Sequence, residues 1–262
     1  MSIIQAIVLG ILQGLTEFLP VSSSGHIELG KALLGINAES TLIFTIVVHG
    51  ATVLSILVVF WKDIVDLIKG VLKFRWNEET DYTAKIIVSM IPVAIVGLFF
   101  KDYVESYFGS GNVAFVGYML LITSFLLALT YFYKPKKTGD VSYWKAFLIG
   151  IAQAIAVLPG ISRSGSTIAT GLLLGVDKEK ITKFSFLMVV VPVLGENFLD
   201  LIKGSELTAS SVGIGPLVAG FIAAFVSGVL ACMWMIRIVR NSKLIYFAIY
   251  TLIVGLVAII FA

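Results

Sequence analysis

Charge is scarce in this chain. Only 13% of its 262 residues are Asp, Glu, Lys or Arg, where a soluble domain carries about 25%. Hydrophobic residues make up 58%, and the mean hydropathy is +1.02. A soluble core of this size cannot hide so much apolar surface. A cytosolic enzyme, a disordered chain and a nucleic-acid binder are therefore excluded. Cysteine is nearly absent: Cys232 alone permits no internal disulfide framework and no cysteine-built zinc or iron–sulfur site. Two histidines, His26 and His49, leave little room for a His-rich metal centre. The opening residues MSIIQAIVLG lack the basic region of a signal peptide, so they are expected to stay in the mature protein. What remains is an all-α polytopic membrane protein, with length for roughly six to eight spans at about 20 residues each.

Six stretches read as full spans: 41–61, 84–100, 112–133, 184–202, 214–236 and 244–262. Four contain no Asp, Glu, Lys or Arg. The second has Lys85 near its start, and the fourth has Glu196 and Asp200 near its far end. Two more apolar stretches, 3–19 and 143–158, run into breaks. The first break is Leu19-Pro20-Val21-Ser22-Ser23-Ser24-Gly25-His26. The second is Leu158-Pro159-Gly160-Ile161-Ser162-Arg163-Ser164-Gly165-Ser166. Proline, glycine and hydroxyl residues stop helices here. Weaker apolar pieces follow at 26–36 and 166–176. This pattern predicts two re-entrant helix–loop–helix units, 3–36 and 143–176, whose irregular backbone must be buried in protein or line a wet cavity.

The two regions resemble each other. Ala6, Gly10, Ile11, Gln13, Ser24 and Gly25 recur at a spacing of 140 as Ala146, Gly150, Ile151, Gln153, Ser164 and Gly165. Each copy precedes three full spans, so the chain reads as a duplication, 1–133 and 134–262. An odd number of crossings per half makes the repeat inverted, as in many transporter folds. Charge supports the span count. Loops near 62–83, 134–145, 177–183 and 237–243 would lie on one side and carry fourteen Lys and Arg, against three (Lys31, Lys101, Lys203) on the other. The positive-inside rule puts the basic side in the cytoplasm and both termini outside. The broken tips are then expected to meet near the midplane.

The two tips carry Gln13, Glu17, Ser22, Ser23, Ser24 and His26 from one half, and Gln153, Ser162, Arg163, Ser164, Ser166 and Thr167 from the other. A carboxylate or guanidinium near the bilayer centre costs about 2.5–3.5 kcal/mol even on the lenient scale. The donors suit an oxyanion: the planar fork of Arg163, hydroxyls, amides freed by Gly25 and Gly165, and two restarting helix N-termini. Glu17 suits a divalent cation that bridges such an anion. His26 titrates near neutrality, and Ser23 three residues earlier gives a hydroxyl with an imidazole beside it. Plainer readings stand alongside. Ser22, Ser24 and Ser166 serve equally as caps, and Glu17–Arg163 as a structural ion pair. His26 serves equally as a helix-start residue, Gln13 and Gln153 as stitches between halves. His49 reads as a packing histidine, Glu196 and Asp200 as solvated groups, and 62–83 as a cytoplasmic surface helix.

The run Gln13-Gly14-Leu15-Thr16-Glu17-Phe18-Leu19-Pro20-Val21-Ser22-Ser23-Ser24-Gly25-His26 resembles the first signature of the bacterial undecaprenyl-pyrophosphate phosphatases of the bacitracin-resistance type. Pro159-Gly160-Ile161-Ser162-Arg163-Ser164-Gly165-Ser166-Thr167 resembles their second, and the similarity continues to Phe184-Ser185-Phe186 and Ala248-Ile249-Tyr250. The resemblance implies a bacterial inner-membrane enzyme that removes the terminal phosphate of undecaprenyl pyrophosphate, recycling the lipid carrier of peptidoglycan synthesis and conferring bacitracin resistance. It implies a divalent cation, Mg²⁺ or Ca²⁺, held at Glu17, with Gln13 at a position where the family admits Glu or Gln. It makes Ser23 the nucleophile and His26 its proton carrier. Arg163, with Ser162, Ser164 and Thr167, matches the phosphate-binding loop; Ser22, Ser24, Gly25 and Gly165 join that set as donors. The implied partners are the prenyl pyrophosphate lipid and the bilayer, with room for a homo-oligomer and none for nucleic acid. The alternative is an inverted-repeat flippase or transporter of a phosphorylated prenyl lipid. The acid-phosphatase-like lipid phosphatases, which need a histidine after their Ser-Arg pair, do not fit a chain with none after His49.

Overall fold

The computed structural model describes residues 1–36, 42–100, 103, 113–133, 135, 138–204, 212–241 and 243–261; the side chains of 42 and 196–204 lie outside this description. The described residues form eleven helices: α1 (Ile3–Phe18), α2 (Ser23–Leu33), α3 (Leu42–Val59), α4 (Trp61–Val71), α5 (Glu78–Phe99), α6 (Val113–Phe132), α7 (Tyr143–Ile155), α8 (Arg163–Leu173), α9 (Lys178–Gly204), α10 (Ile214–Arg240) and α11 (Leu244–Ile260). Among them α5, α6 and α10 are each long and apolar enough to cross a membrane, and α3 with α4 makes a fourth candidate bent by 75°.

The surface of these helices is apolar and their interior is partly polar. Ile87, Ile91, Ile95 and Leu98 of α5 face outward, as do Val218, Ile222, Val226 and Leu230 of α10. Both rows repeat at about one helical turn. Ser55, Ser89, Thr123, Ser227 and Thr251 are buried, and each hydroxyl donates to a backbone carbonyl. An exterior this apolar needs lipid around it. The chain is an all-helical, polytopic membrane protein.

Several boundaries depart from the expected ones. The span expected at 84–100 begins at Glu78, because Asn77 caps it by accepting from the Thr80 amide at 2.8 Å and Glu78, Glu79 and Asp81 fill the first turn. Carboxylates there complement the helix dipole. The span expected at 184–202 runs from Lys178 to Gly204. The surface helix expected over 62–83 is shorter: α4 ends at Val71 and presents Asp63, Asp66 and Lys69, Lys73 lies past its end, and the residues from Glu78 belong to α5. The expected ends at 41, 112 and 262 lie outside the described residues, as do the side chains of Glu196 and Asp200.

The pieces after the breaks restart three residues earlier than expected, at Ser23 and Arg163 instead of 26 and 166. Serine N-caps are the reason. Ser22 Oγ accepts from the Gly25 amide at 3.3 Å, and Ser162 Oγ accepts from the Gly165 amide at 3.0 Å. The caps differ in one respect. Ser162 has an ordinary φ of −74°, whereas Ser22 sits at φ 70°, ψ 98°. Such a conformation costs a non-glycine residue on the order of 1–3 kcal/mol and concentrates at functional sites.

Long helices pair across the two halves of the sequence. α1 packs along α10 and α7 along α5, while α6 pairs with α11 and α3 with α9. Glycines set the approach. A Cβ on Gly14 would lie 2.5 Å from the Ala224 carbonyl oxygen, and one on Gly150 would lie 2.2 Å from that of Ser89. Close backbone contact at small residues is how helices associate where lipid removes the hydrophobic drive. The basic segments meet at one end. Lys183 pairs with Asp63, Lys180 with Asp140, and Arg240 with Glu179 at 3.1 Å. Lys180 holds the Asp140 carboxyl below the usual carboxylate range. A parallel bridge between Gly139 and Val176 straps the same end.

Candidate active site

The two breaks touch. Ser164 Oγ donates to the Leu19 carbonyl at 3.2 Å. A Cβ on Gly25 would lie 3.2 Å from Gly160 Cα, and one on Gly165 would lie 3.1 Å from Pro20 Cβ. Gly160 itself turns at φ 98°, a left-handed conformation that glycine adopts without strain, with the Val116 carbonyl only 2.6 Å from where a Cβ would stand. From α6, Thr123 Oγ1 donates to the Gly160 carbonyl at 3.2 Å and accepts from the Ser162 amide at 3.0 Å. One threonine thus holds both sides of the second turn.

Glu17, in the last turn of α1, is the hub. Its Oε1 accepts from Arg163 Nη2 at 2.8 Å. Its Oε2 accepts from Ser23 Oγ at 2.6 Å and from Gln13 Nε2, one helical turn earlier, at 2.9 Å. His49 Nε2, from α3, lies 3.9 Å from the same Oε2. The carboxylate comes from the end of α1, the hydroxyl from the first turn of α2, and the guanidinium from the first turn of α8. Three chain segments that stop or start at the breaks therefore converge, and α2 and α8 each begin at this convergence. Helix starts of this kind favour anions.

His26 does not pair with Ser23. Its Nδ1 lies 2.9 Å from the Ser22 carbonyl, which can only accept, so Nδ1 carries the proton. Its Nε2 accepts from the Tyr250 hydroxyl at 2.9 Å, with the two rings stacked at 5.6 Å. The strained Ser22 turn is what aims that carbonyl at the ring. The spacing Ser23–His26 suggested a hydroxyl–imidazole pair; the hydroxyl's partner is instead the Glu17 carboxylate.

Other expected residues fall into two groups. Glu17, Arg163, Ser23 and Gln13 are brought together directly. Ser22, Ser24, Gly25, Ser162, Ser164 and Gly165 form the two turns around them, with Ser22 Oγ 3.3 Å from Ser24 Oγ and Ser162 Oγ 3.4 Å from Ser164 Oγ. Thr167 bonds to the Ser185 hydroxyl at 2.6 Å, deep in the helix pair. Gln153 is buried and neither side-chain polar atom has a hydrogen-bond partner among the described residues, so it stitches nothing. Sequence reasoning set His49 aside and assigned no role to Tyr250, Thr123 or Ser185. His49 and Tyr250 had the signal of a polar group inside an apolar run, but nothing local shows that either meets the breaks.

A recess of about 20 Å³ lies between Glu17, Arg163, Ser164, Thr167 and Ser185 and the apolar Phe18, Ile56, Phe186 and Val189. That is room for about one water and not for a pyrophosphate. Among the described residues no three His, Cys, Asp or Glu side chains could hold a metal together. A hard divalent cation needs less from the protein when it is shared with substrate phosphates: one or two carboxylates suffice. Glu17 provides one, and the buried Gln13 Oε1, which has no hydrogen-bond partner among the described residues, provides a neutral oxygen one helical turn earlier. The donor set fits a cation shared with a phosphorylated ligand.

Fold and site together define a polytopic membrane protein with a partly buried polar cluster where two broken helix pairs meet. Comparison with known proteins gives the family. The model described as "Bacitracin resistance protein BacA" matches residues 6–257, and the chain belongs to that family. It is 60% identical over 265 residues to an undecaprenyl-diphosphatase of Christiangramia forsetii, covering 100% of this chain and 99% of the relative. It is 57% identical over 263 residues to one of Bacteroides thetaiotaomicron, covering 99% of both. A relative of the same name from Methanosphaera stadtmanae is 38% identical over 280 residues, covering 99% of this chain and 98% of the relative.

Proposed function

We propose that this chain is an undecaprenyl-diphosphatase, a membrane hydrolase that releases the terminal phosphate of undecaprenyl pyrophosphate. The observation that carries the mechanism is the 2.6 Å hydrogen bond from Ser23 Oγ to a carboxylate that also holds Arg163. When the pyrophosphate enters, its charge competes with Glu17 for the Arg163 guanidinium, whose planar fork matches phosphate. Hydroxyls of Ser22, Ser24, Ser162 and Ser164 and the first-turn amides of α2 and α8 supply further donors. Glu17, freed of the arginine, takes the Ser23 proton as Ser23 Oγ attacks the terminal phosphorus. The bond to the prenyl phosphate breaks and that leaving group carries off the proton from Glu17; water then attacks the phosphoserine, Glu17 takes the water's proton, and it returns this proton to Ser23 Oγ as inorganic phosphate leaves. His26, held by Ser22 and Tyr250, positions the first turn of α2. A divalent cation, Mg²⁺ or Ca²⁺, held by Glu17 and Gln13 would neutralise charge on the pyrophosphate. The flippase reading gives the Ser23–Glu17 contact no role.

The architecture we infer is an inverted repeat of 1–133 and 134–262 in the bacterial inner membrane. Each half is one re-entrant pair plus three spans, and both termini lie outside. The packing supports it: α1 on α10 and α7 on α5 are the same pairing with the halves exchanged, and α6–α11 and α3–α9 map onto themselves. The cross-links Lys183–Asp63, Lys180–Asp140 and Arg240–Glu179 support grouping all four basic segments on one face. The breaks then approach the midplane from opposite sides, with the prenyl tail lying in lipid.

Phosphate release from undecaprenyl pyrophosphate by the purified protein in detergent tests the activity. Release is expected from wild type with a divalent cation and not with chelator or with Ser23→Ala. Lipid bound without release by well-folded wild type would refute it.

A further inference from the structure

His49 lies against the hub, and its geometry there is that of a metal ligand. Its Nδ1 stands 3.0 Å from the Thr45 carbonyl, one helical turn back. A carbonyl only accepts, so Nδ1 carries the proton and the Nε2 lone pair faces Glu17 Oε2 at 3.9 Å. Two acceptors turned toward each other repel unless something positive sits between them. Two ligands each about 2.1 Å from one cation lie about 3.0 Å apart when adjacent and about 4.2 Å apart when opposite. The observed separation falls inside that interval. Metal-bound imidazoles commonly donate their other ring N–H to a backbone carbonyl, which fixes the ring. The Nδ1–Thr45 bond is such an arrangement. A second, independent observation comes from the residue that donates to the same carboxylate oxygen: Gln13 is fully buried, its amide N–H is committed to Glu17 Oε2, and its Oε1 has no partner among the described residues. An orphaned buried acceptor is destabilising and is satisfied by a cation.

We propose that His49 Nε2, together with Gln13 Oε1, completes the protein's hold on the divalent cation at Glu17, and that this imidazole makes the site select Mn²⁺-like cations over Ca²⁺. The inference rests on the cation reading of the proposed function. Imidazole is a poor ligand for Ca²⁺, which takes oxygen donors, and a good one for first-row transition ions.

Mn²⁺ titrated into the purified full-length protein in detergent, with inorganic pyrophosphate present, tests it. Pulsed electron paramagnetic resonance reads directly coordinated nitrogen on the bound ion. Wild type is expected to bind one Mn²⁺ per chain with an imidazole-nitrogen coupling. His49→Gln is expected to lose that coupling and weaken Mn²⁺ roughly tenfold, with Ca²⁺ binding changed by less than about threefold. His26→Gln is expected to keep the coupling. Mn²⁺ binding that depends on Glu17 but shows no nitrogen coupling, or a coupling that survives His49→Gln, overturns the role of His49 and leaves the cation reading standing. Mn²⁺ binding that Glu17→Gln does not diminish, or no binding at all, overturns the cation reading and this proposal with it.

Discussion

Glu17 accepts from three side chains with two oxygens, and each contact has a separable consequence. Ser23→Ala removes the hydroxyl and nothing that packs, so phosphate release should fall on the order of a thousandfold or more while the melting temperature stays near that of wild type. Tyr250→Phe removes the donor to His26 Nε2. The loss of one hydrogen bond worth about 0.5–1.5 kcal/mol predicts a two- to tenfold drop in release, read as kcat with KM little changed. These residues were unequally legible. Glu17 and Arg163 stood out in sequence because charge inside an apolar chain is costly, and they do meet. The Ser23–His26 spacing fits one short helix, which starts at Ser23 and not at 26, but the hydrogen bonding is decided by the cap. Ser22 at φ 70° turns its carbonyl onto His26, and no pattern of residue types announces a positive φ at serine. His49 was illegible for another reason: its meaning depends on α3 packing beside α1, a contact between segments that sequence periodicity does not relate.

At the scale of helices, the design depends on caps and on glycines without room for a side chain. Ser162→Ala deletes the cap of α8 and should cost about 0.5–2 kcal/mol, with a matching fall in melting temperature and misplacement of Arg163 in the next position. Gly150→Ala gains helix propensity worth about 1 kcal/mol, yet its Cβ would stand 2.2 Å from a backbone oxygen of α5. Backbone cannot swing aside as a side chain does, so overpacking of about 1–3 kcal/mol should win, and thermal unfolding in detergent should come earlier. The recurrence of Gly10 and Gln13 as Gly150 and Gln153 let the sequence announce that α1 and α7 are equivalent. It did not announce that Gln13 would serve the hub while Gln153 lies buried without a partner. Helix existence was readable from hydropathy; the restarts at Ser23 and Arg163 required knowing which serine caps.

Across the whole molecule, the ion pairs gather the basic segments at one end, and the proposed orientation puts that end in the cytoplasm. Phe74, in the turn after α4, is 91% exposed, and Leu33, at the end of α2, is 88% exposed. Cysteines introduced there should react with an impermeant thiol reagent from opposite sides: Leu33→Cys in intact cells, Phe74→Cys only in inverted vesicles. Cys232 is fully buried and should stay silent in both. The central claim is that two halves of the chain contribute to one catalytic centre, Glu17 with Ser23 from the first and Arg163 from the second. The most direct measurement is a double-mutant cycle of phosphate release with Glu17→Gln, Arg163→Gln and both, each checked for folding by its melting curve. Groups that act as a unit are far from additive. The account predicts that the double variant loses little more activity than either single one. Losses that multiply, as for two independent sites, would contradict it.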